Sequence, residues 1–175
     1  MLYLIPRPLH RQALRIAHEL RKYWWRWARP DVIGCRVLAF DDQDRLLLIR
    51  HSYGRSGWMP PGGGMRRSED PLAGAVREFG EEVGCPLHAP FIVDVVEESL
   101  QGARSVVHIV AGGVSGKPVP DGREIIAAAF FTSDELPGDM PRLLQAHLPE
   151  WIRAAIAARR RDAVAAPAPP QGQTG

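Results

Sequence analysis

The sequence predicts an α/β fold of the α+β kind: a mixed β-sheet sandwiched between helices, with an amphipathic helix added in front of it. Three observations carry this. Apolar runs of strand length recur in pairs separated by short polar turns. Between and beyond them lie stretches whose apolar residues return every three or four positions, the spacing of a helix that buries one face. The chain of 175 residues, 45% hydrophobic and 24% charged, is long enough for one core and too short for several. The expected organisation is a basic helix over residues 1–30, a domain over 31–162 and a disordered tail over 163–175, where "AAPAPPQGQTG" has the composition of a chain that packs nothing.

Residues 8–28 form the first predicted helix. Leu9, Ala13, Ile16, Ala17, Leu20, Trp24 and Trp27 make its apolar stripe, arginines fill the other side, and Pro30 ends it. "VIGCRVLAF" and "LLLIRH", joined by the polar "DDQDR", read as a β-hairpin. The Gly- and Pro-rich "SYGRSGWMPPGGGMRRSED" excludes a regular helix or a central strand and reads as a loop. Asp70 then caps a helix with Pro71 in its first turn; Leu72, Val76, Phe79 and Val83 supply its core face, and Gly84 with Pro86 stops it. Gly74 and Gly80 weaken that helix by about 1 kcal/mol each, so tertiary contacts must hold it. "FIVDVVEESL" and "SVVHIVAGGV" form a second hairpin across "QGAR", "IIAAAFFT" a further strand, and Leu143 to Ile156 one helix or two, divided at Pro149.

Net charge is only +2, but residues 1–29 carry +6 and the remainder −4. The body therefore lacks the basic face a nucleic-acid binder needs, and nucleic-acid binding is not expected. Cys35 and Cys85 sit in apolar patterns, which argues against a disulfide scaffold and for a cytoplasmic protein. "MLYLIP" is too short an apolar run for a signal peptide. The basic, Trp-rich "RKYWWRWARP" has two readings. Its stripe covers a side of the sheet or joins a homodimer, the favoured reading, or residues 1–29 lie on an anionic membrane surface.

Three carboxylates crowd "REFGEEVG": Glu78, Glu81 and Glu82 share one side of the helix, where like charges repel. Alone, such a cluster reads as a solvated acidic face. Its setting changes that reading. Gly63, five residues, Glu69, seven residues and then Arg77-Glu78-Phe79-Gly80-Glu81-Glu82-Val83-Gly84-Cys85 fit the pattern G-x5-E-x7-R-E-U-x-E-E-x-G-U at every fixed position. At ordinary residue usage such a match arises by chance in fewer than about one chain in a million. The chain resembles the Nudix (MutT-like) hydrolases, over about residues 32–137. Two departures are conformational: Cys85 stands where a bulky aliphatic is usual, and Met59-Pro60 where a Leu precedes a single Pro.

The residue types suit a hard cation independently of the resemblance. Mg²⁺, with Mn²⁺ as the alternative, takes oxygen ligands and is commonly held by a few carboxylates together with substrate phosphates. Glycines at 62 and 63 let a backbone carbonyl approach the same point. The resemblance implies metal ligation by Glu78, Glu81, Glu82 and the Gly62 carbonyl, and structural support of the box by Gly63, Glu69, Arg77 and Gly84, with Arg77 pairing Glu69. It implies hydrolysis of the diphosphate linkage in a nucleoside diphosphate joined to a further moiety. For the catalytic base, Glu78, Glu81 and Glu124 stay open; Glu97 and Glu98 read as exposed residues at a strand end. Arg50, Tyr53 and Trp58 are the substrate-binding candidates, Arg50 for phosphate and the aromatics for stacking. His51 and His108 read as ordinary packing or surface residues. Sequence markers of the NADH, coenzyme A, ADP-ribose and dinucleoside polyphosphate subfamilies are missing, so the substrate stays open. The alternative function is a non-catalytic module of the same fold that binds a nucleotide and regulates something else.

Overall fold

The computed structural model describes residues 32–52, 57–66, 68–100, 103–120 and 124–165, without the side chains of residues 98–100, 103 and 163–165. The predicted N-terminal helix, Tyr53 and the tail beyond residue 165 lie outside the described residues. Among the described residues six strands and two helices follow in the order β1 (Val32–Phe40), β2 (Leu46–His51), β3 (Trp58–Met59), α1 (Pro71–Val83), β4 (Leu87–Leu100), β5 (Ala103–Val114), β6 (Ile125–Phe131) and α2 (Arg142–Ala165). The sheet is mixed, in the order β3-β2-β1-β5-β4, with β6 pairing along β2.

The first hairpin is corrected in extent. β1 and β2 are antiparallel but meet at Phe40 and Leu46 beside their turn, while β1 runs parallel to β5 from Val32 to Phe40. The glycine-rich segment is what parts them. Cys35 N–H donates to the Gly63 carbonyl, Val37 N–H to Pro61 and Met65 N–H to Ile33, so residues 61–65 run beside β1 as an extra partner. The loop expected over 52–70 thus holds backbone bonds and also contains β3, which pairs with the end of β2.

Side chains alternate cleanly across the sheet, as strand geometry requires. Cys35, Val37, Ala39, Leu47, Ile49 and Val110 face α1, where Ala75, Phe79 and Val83 close one core. Leu38, Phe40, Leu46, Leu48 and Ile109 face α2, where Leu144, Leu148, Trp151 and Ile152 close the other. Phe79 and Leu148 are fully buried, each contributing about 1.5–3 kcal/mol by leaving water. α2 is one helix with Pro149 inside it. Pro149 removes a backbone bond and crowds the preceding turn, a cost of about 3 kcal/mol; Leu148, Trp151 and Ile152 on either side of it anchor the helix to the sheet, and Trp151 Nε1 donates to Asp94 at 2.9 Å.

α1 begins as its sequence predicts: Asp70 Oδ1 accepts from Leu72 N–H and Ala73 N–H at 3.1 and 2.9 Å, ahead of Pro71. It ends at Gly84, whose φ of 70° is open to glycine and whose N–H donates to the Gly80 carbonyl. One facing residue is corrected: Val76 is 39% exposed, and Ala75 and Gly74 are buried in its stead. Gly74 is where backbone and loop come close, since a Cβ there would sit 3.3 Å from Met65 and Glu69 side-chain atoms. At Gly80 no such contact exists among the described residues.

Candidate active site

The helix and the glycine segment bring the carboxylates to one edge of the α1-facing side. Glu82, buried on α1, accepts from Gly62 N–H at 2.8 Å. Glu78 reaches Gly63 so closely that a Cβ at that position would stand 2.4 Å from its Oε2, and a side chain there would have to push the Glu78 carboxylate aside. A Cβ on Gly62 would fall 2.2 Å from the Cys35 carbonyl oxygen, and its φ of 147° also excludes ordinary residues. The Pro61 and Gly63 carbonyls point at β1, so by alternation along an extended chain the Gly62 carbonyl turns the other way, toward the carboxylates' side.

Arg77 fastens the loop to the helix. Its Nε and Nη2 donate to Glu69 Oε1 and Oε2 at 2.8 and 2.9 Å, a two-pronged bond. Its Nη1 donates to Glu78 Oε1 at 2.7 Å and lies 3.6 Å from Glu81 Oε2. Glu69 is held well below the usual carboxylate range, to about 2, chiefly by the Arg77 bonds and then by Arg66 N–H. Glu82 moves the opposite way: burial pushes it up to about 8, Gly62 N–H lowers it in part, and repulsion from Glu124, Glu78 and Glu81 raises it further.

Across from the helix, Glu124 stands at the start of β6, its carbonyl accepting from Ser52 N–H at 2.8 Å. Glu78, Glu81, Glu82, Glu124 and Ile125 together line a cleft of about 70 Å³. Four carboxylates around one small polar space form an oxygen-only donor set of the kind a hard divalent cation takes. Among the described residues no three acidic, His or Cys side chains converge closely enough to cage a cation as they stand. The fit lies in the donor chemistry and in the close approach of Glu78 to Gly63; the rise at Glu82 comes first from burial and then from the neighbouring carboxylates.

A model of the NUDIX domain matches residues 30–155, most of the chain. The chain belongs to the Nudix family. Over 77 residues, 44% of this chain and 43% of the relative, it is 30% identical to diphosphoinositol polyphosphate phosphohydrolase 2 of Mus musculus and Homo sapiens. The match thus spans less than half the length of these curated relatives. The Nudix fold recurs in a MutT Nudix hydrolase from Burkholderia pseudomallei, with a TM-score of 0.60 at 23% identity over 71% of this chain and 97% of that one. An ADP-ribose pyrophosphatase from Streptococcus suis aligns with a TM-score of 0.55 at 23% identity, over 74% and 92%.

Within this Nudix domain the substrate-binding candidates separate from the carboxylates. Arg50 alternates with Leu48 and so projects toward α2, where it pairs with Asp139 and lies 5.0 Å above the Trp58 ring. Trp58 in turn packs edge-on against Phe131 at 5.0 Å. Both sit on the sheet face opposite the glutamates, engaged with protein partners. His51, read from the sequence as a packing or surface residue, stands on the carboxylate side with Nε2 3.8 Å from Glu82 Oε1. Alternation along β2 groups His51 with Leu47 and Ile49, but that α1 covers this set and not Leu46 and Leu48 is decided by packing. Glu97 pairs with Arg104 at 2.6 Å on the surface and is not among the residues that line the cleft.

Proposed function

We propose that this Nudix chain is a Mg²⁺-dependent pyrophosphohydrolase that cleaves the diphosphate linkage of a nucleoside diphosphate joined to a further moiety. The observation that carries the reading is the cleft in which Glu78, Glu81, Glu82 and Glu124 meet beside Gly62. Glu78, Glu81, Glu82 and the Gly62 carbonyl would hold the cation. When bound, it neutralises phosphate oxygens and lowers the pKa of water for in-line attack at phosphorus.

The chain's own residues divide the remaining work. Arg77 orients Glu78, and the Gly62 N–H orients Glu82, so two carboxylates are fixed before substrate arrives. Glu81, whose side chain is 63% exposed, and Glu124 on the facing wall are the proton acceptors with access to water in the cleft. The proton leaves the attacking water for one of these carboxylates. A fold that served only to bind a nucleotide would gain nothing from four mutually repelling acids around so small a space, and this speaks against the regulatory-module reading.

The substrate class is tested by a panel of dNTPs, ADP-ribose, sugar nucleotides, dinucleoside polyphosphates, capped RNA and a diphosphoinositol polyphosphate. The last is included because the matched relatives are named for it. Hydrolysis of at least one nucleotide derivative with Mg²⁺, abolished by chelator, is the expected result. Binding without turnover across the panel would favour the regulatory module. Turnover confined to the inositol compound would keep the chemistry and replace the nucleotide.

A further inference from the structure

His51 is the last residue of β2. It alternates with Leu47 and Ile49, which belong to the core beneath α1, and it pairs with Ile125 of β6, which belongs to the same core. Cross-strand neighbours project from one face, so the imidazole stands on the α1 side next to Ile125. The ladder fixes it there. Arg50 pairs with Ala127 and His51 with Ile125, a bulge that leaves Ile126 as the extra residue, 44% exposed. One residue further, Ser52 N–H donates to the Glu124 carbonyl at 2.8 Å. The end of β2 is thereby joined to Glu124 and Ile125, two of the residues that line the carboxylate cleft. His51 itself is not one of them. What it approaches is Glu82: Nε2 lies 3.8 Å from Oε1, the two side chains being 12% and 10% exposed. The other oxygen of Glu82, Oε2, accepts from Gly62 N–H at 2.8 Å.

We propose that His51 is a positioning residue for the cation site, which holds Oε1 of Glu82 from β2 while Gly62 N–H holds Oε2 from the glycine segment. The inference rests on the reading of the cleft as a site for a divalent cation. A second hold is needed because Glu78, Glu81 and Glu124 line the same space and repel Glu82, and a single hydrogen bond leaves a carboxylate able to swing about it. A donor at the second oxygen fixes the plane of the group, and with it the direction of the lone pairs left for the metal. Mg²⁺ takes oxygen ligands, so the imidazole acts through Glu82 and needs no place of its own around the cation. At 3.8 Å the contact is longer than a hydrogen bond. Contacts of this kind are often long before a ligand binds and tighten with it; a movement of about 1 Å brings Nε2 within bonding distance of Oε1.

Binding of Mn²⁺ to the full chain, read from the electron paramagnetic resonance signal of the free ion with Mg²⁺ as competitor, tests this without any substrate. His51→Phe should weaken both cations by about 10- to 100-fold, with urea unfolding in chelator checking that the variant is folded. His51→Asn, whose amide falls short of Glu82, is the second variant should His51→Phe disturb folding. His51→Gln, whose amide N–H reaches the place of Nε2, should recover most of the loss. In a Glu82→Gln background, His51→Phe should have no further effect. Wild-type affinity in His51→Phe would overturn the inference; so would a rise only in the KM of a substrate the wild type turns over, which would make His51 a substrate contact. His51→Gln as impaired as His51→Phe would overturn it too, since a donor is all the role requires. A wild type that binds neither cation would overturn the metal-site reading along with it.

Discussion

At the scale of single residues, the site is a balance between two carboxylates shifted in opposite directions. Glu82 titrates near 8 in the folded chain because it is buried among acids, whereas an unfolded chain ionises it near 4.5. The folded state therefore binds more protons across that window, and the metal-free protein loses stability as pH rises from about 4.5 through about 8. Thermal melts should show that decline flattened in Glu82→Gln. The gain in melting temperature on adding Mg²⁺ should also grow with pH over the same range. Glu69 behaves conversely: its pairing contributes stability that is complete above about 4.5 and lost as pH falls toward about 2. Glu69→Gln should erase that acid limb. Gly62 admits no side chain, and Gly62→Ala, with its Cβ against the Cys35 carbonyl at a positive φ, should cost at least about 2 kcal/mol in urea unfolding.

At the scale of elements, α1 shows what a sequence discloses and what it withholds. Its boundaries were legible because capping is local chemistry: Asp70, Pro71 and Gly84 act on backbone groups within a few residues of themselves. Asp70→Ala should accordingly cost about 1 kcal/mol in the same unfolding measurement. Its facing was less legible. Val76 fits the apolar spacing yet lies at the rim, because Gly74 lets the Met65–Glu69 loop press against the helix and shifts the buried stripe to Ala75. The strands β1 and β2 were placed residue for residue, but their partnership was not. Sequence spacing carries no information about the glycine segment that takes β1's edge through the Gly63 and Pro61 carbonyls.

At the scale of the whole molecule, the sheet keeps two chemistries apart. The acidic cleft stands on the α1 side, while Arg50, Trp58 and Asp139 form a cation–aromatic cluster on the α2 side. The box pattern foretold the first, since residues spaced along one helix share a face by geometry alone. It could not foretell how Arg50 is turned, because whether Arg50 or His51 faces the cleft depends on which strand face α1 covers, and only packing decides that. No helix among the described residues is long and apolar enough to cross a bilayer.

The central claim is that the carboxylate cleft performs Mg²⁺-dependent phosphoanhydride hydrolysis. The most direct measurement compares kcat/KM of wild type and Glu82→Gln on a substrate the wild type turns over, at saturating Mg²⁺ and with folding verified. A loss of at least about 100-fold in kcat/KM is expected, equivalent to about 2.7 kcal/mol of transition-state stabilisation. Equal rates in the two proteins would contradict it.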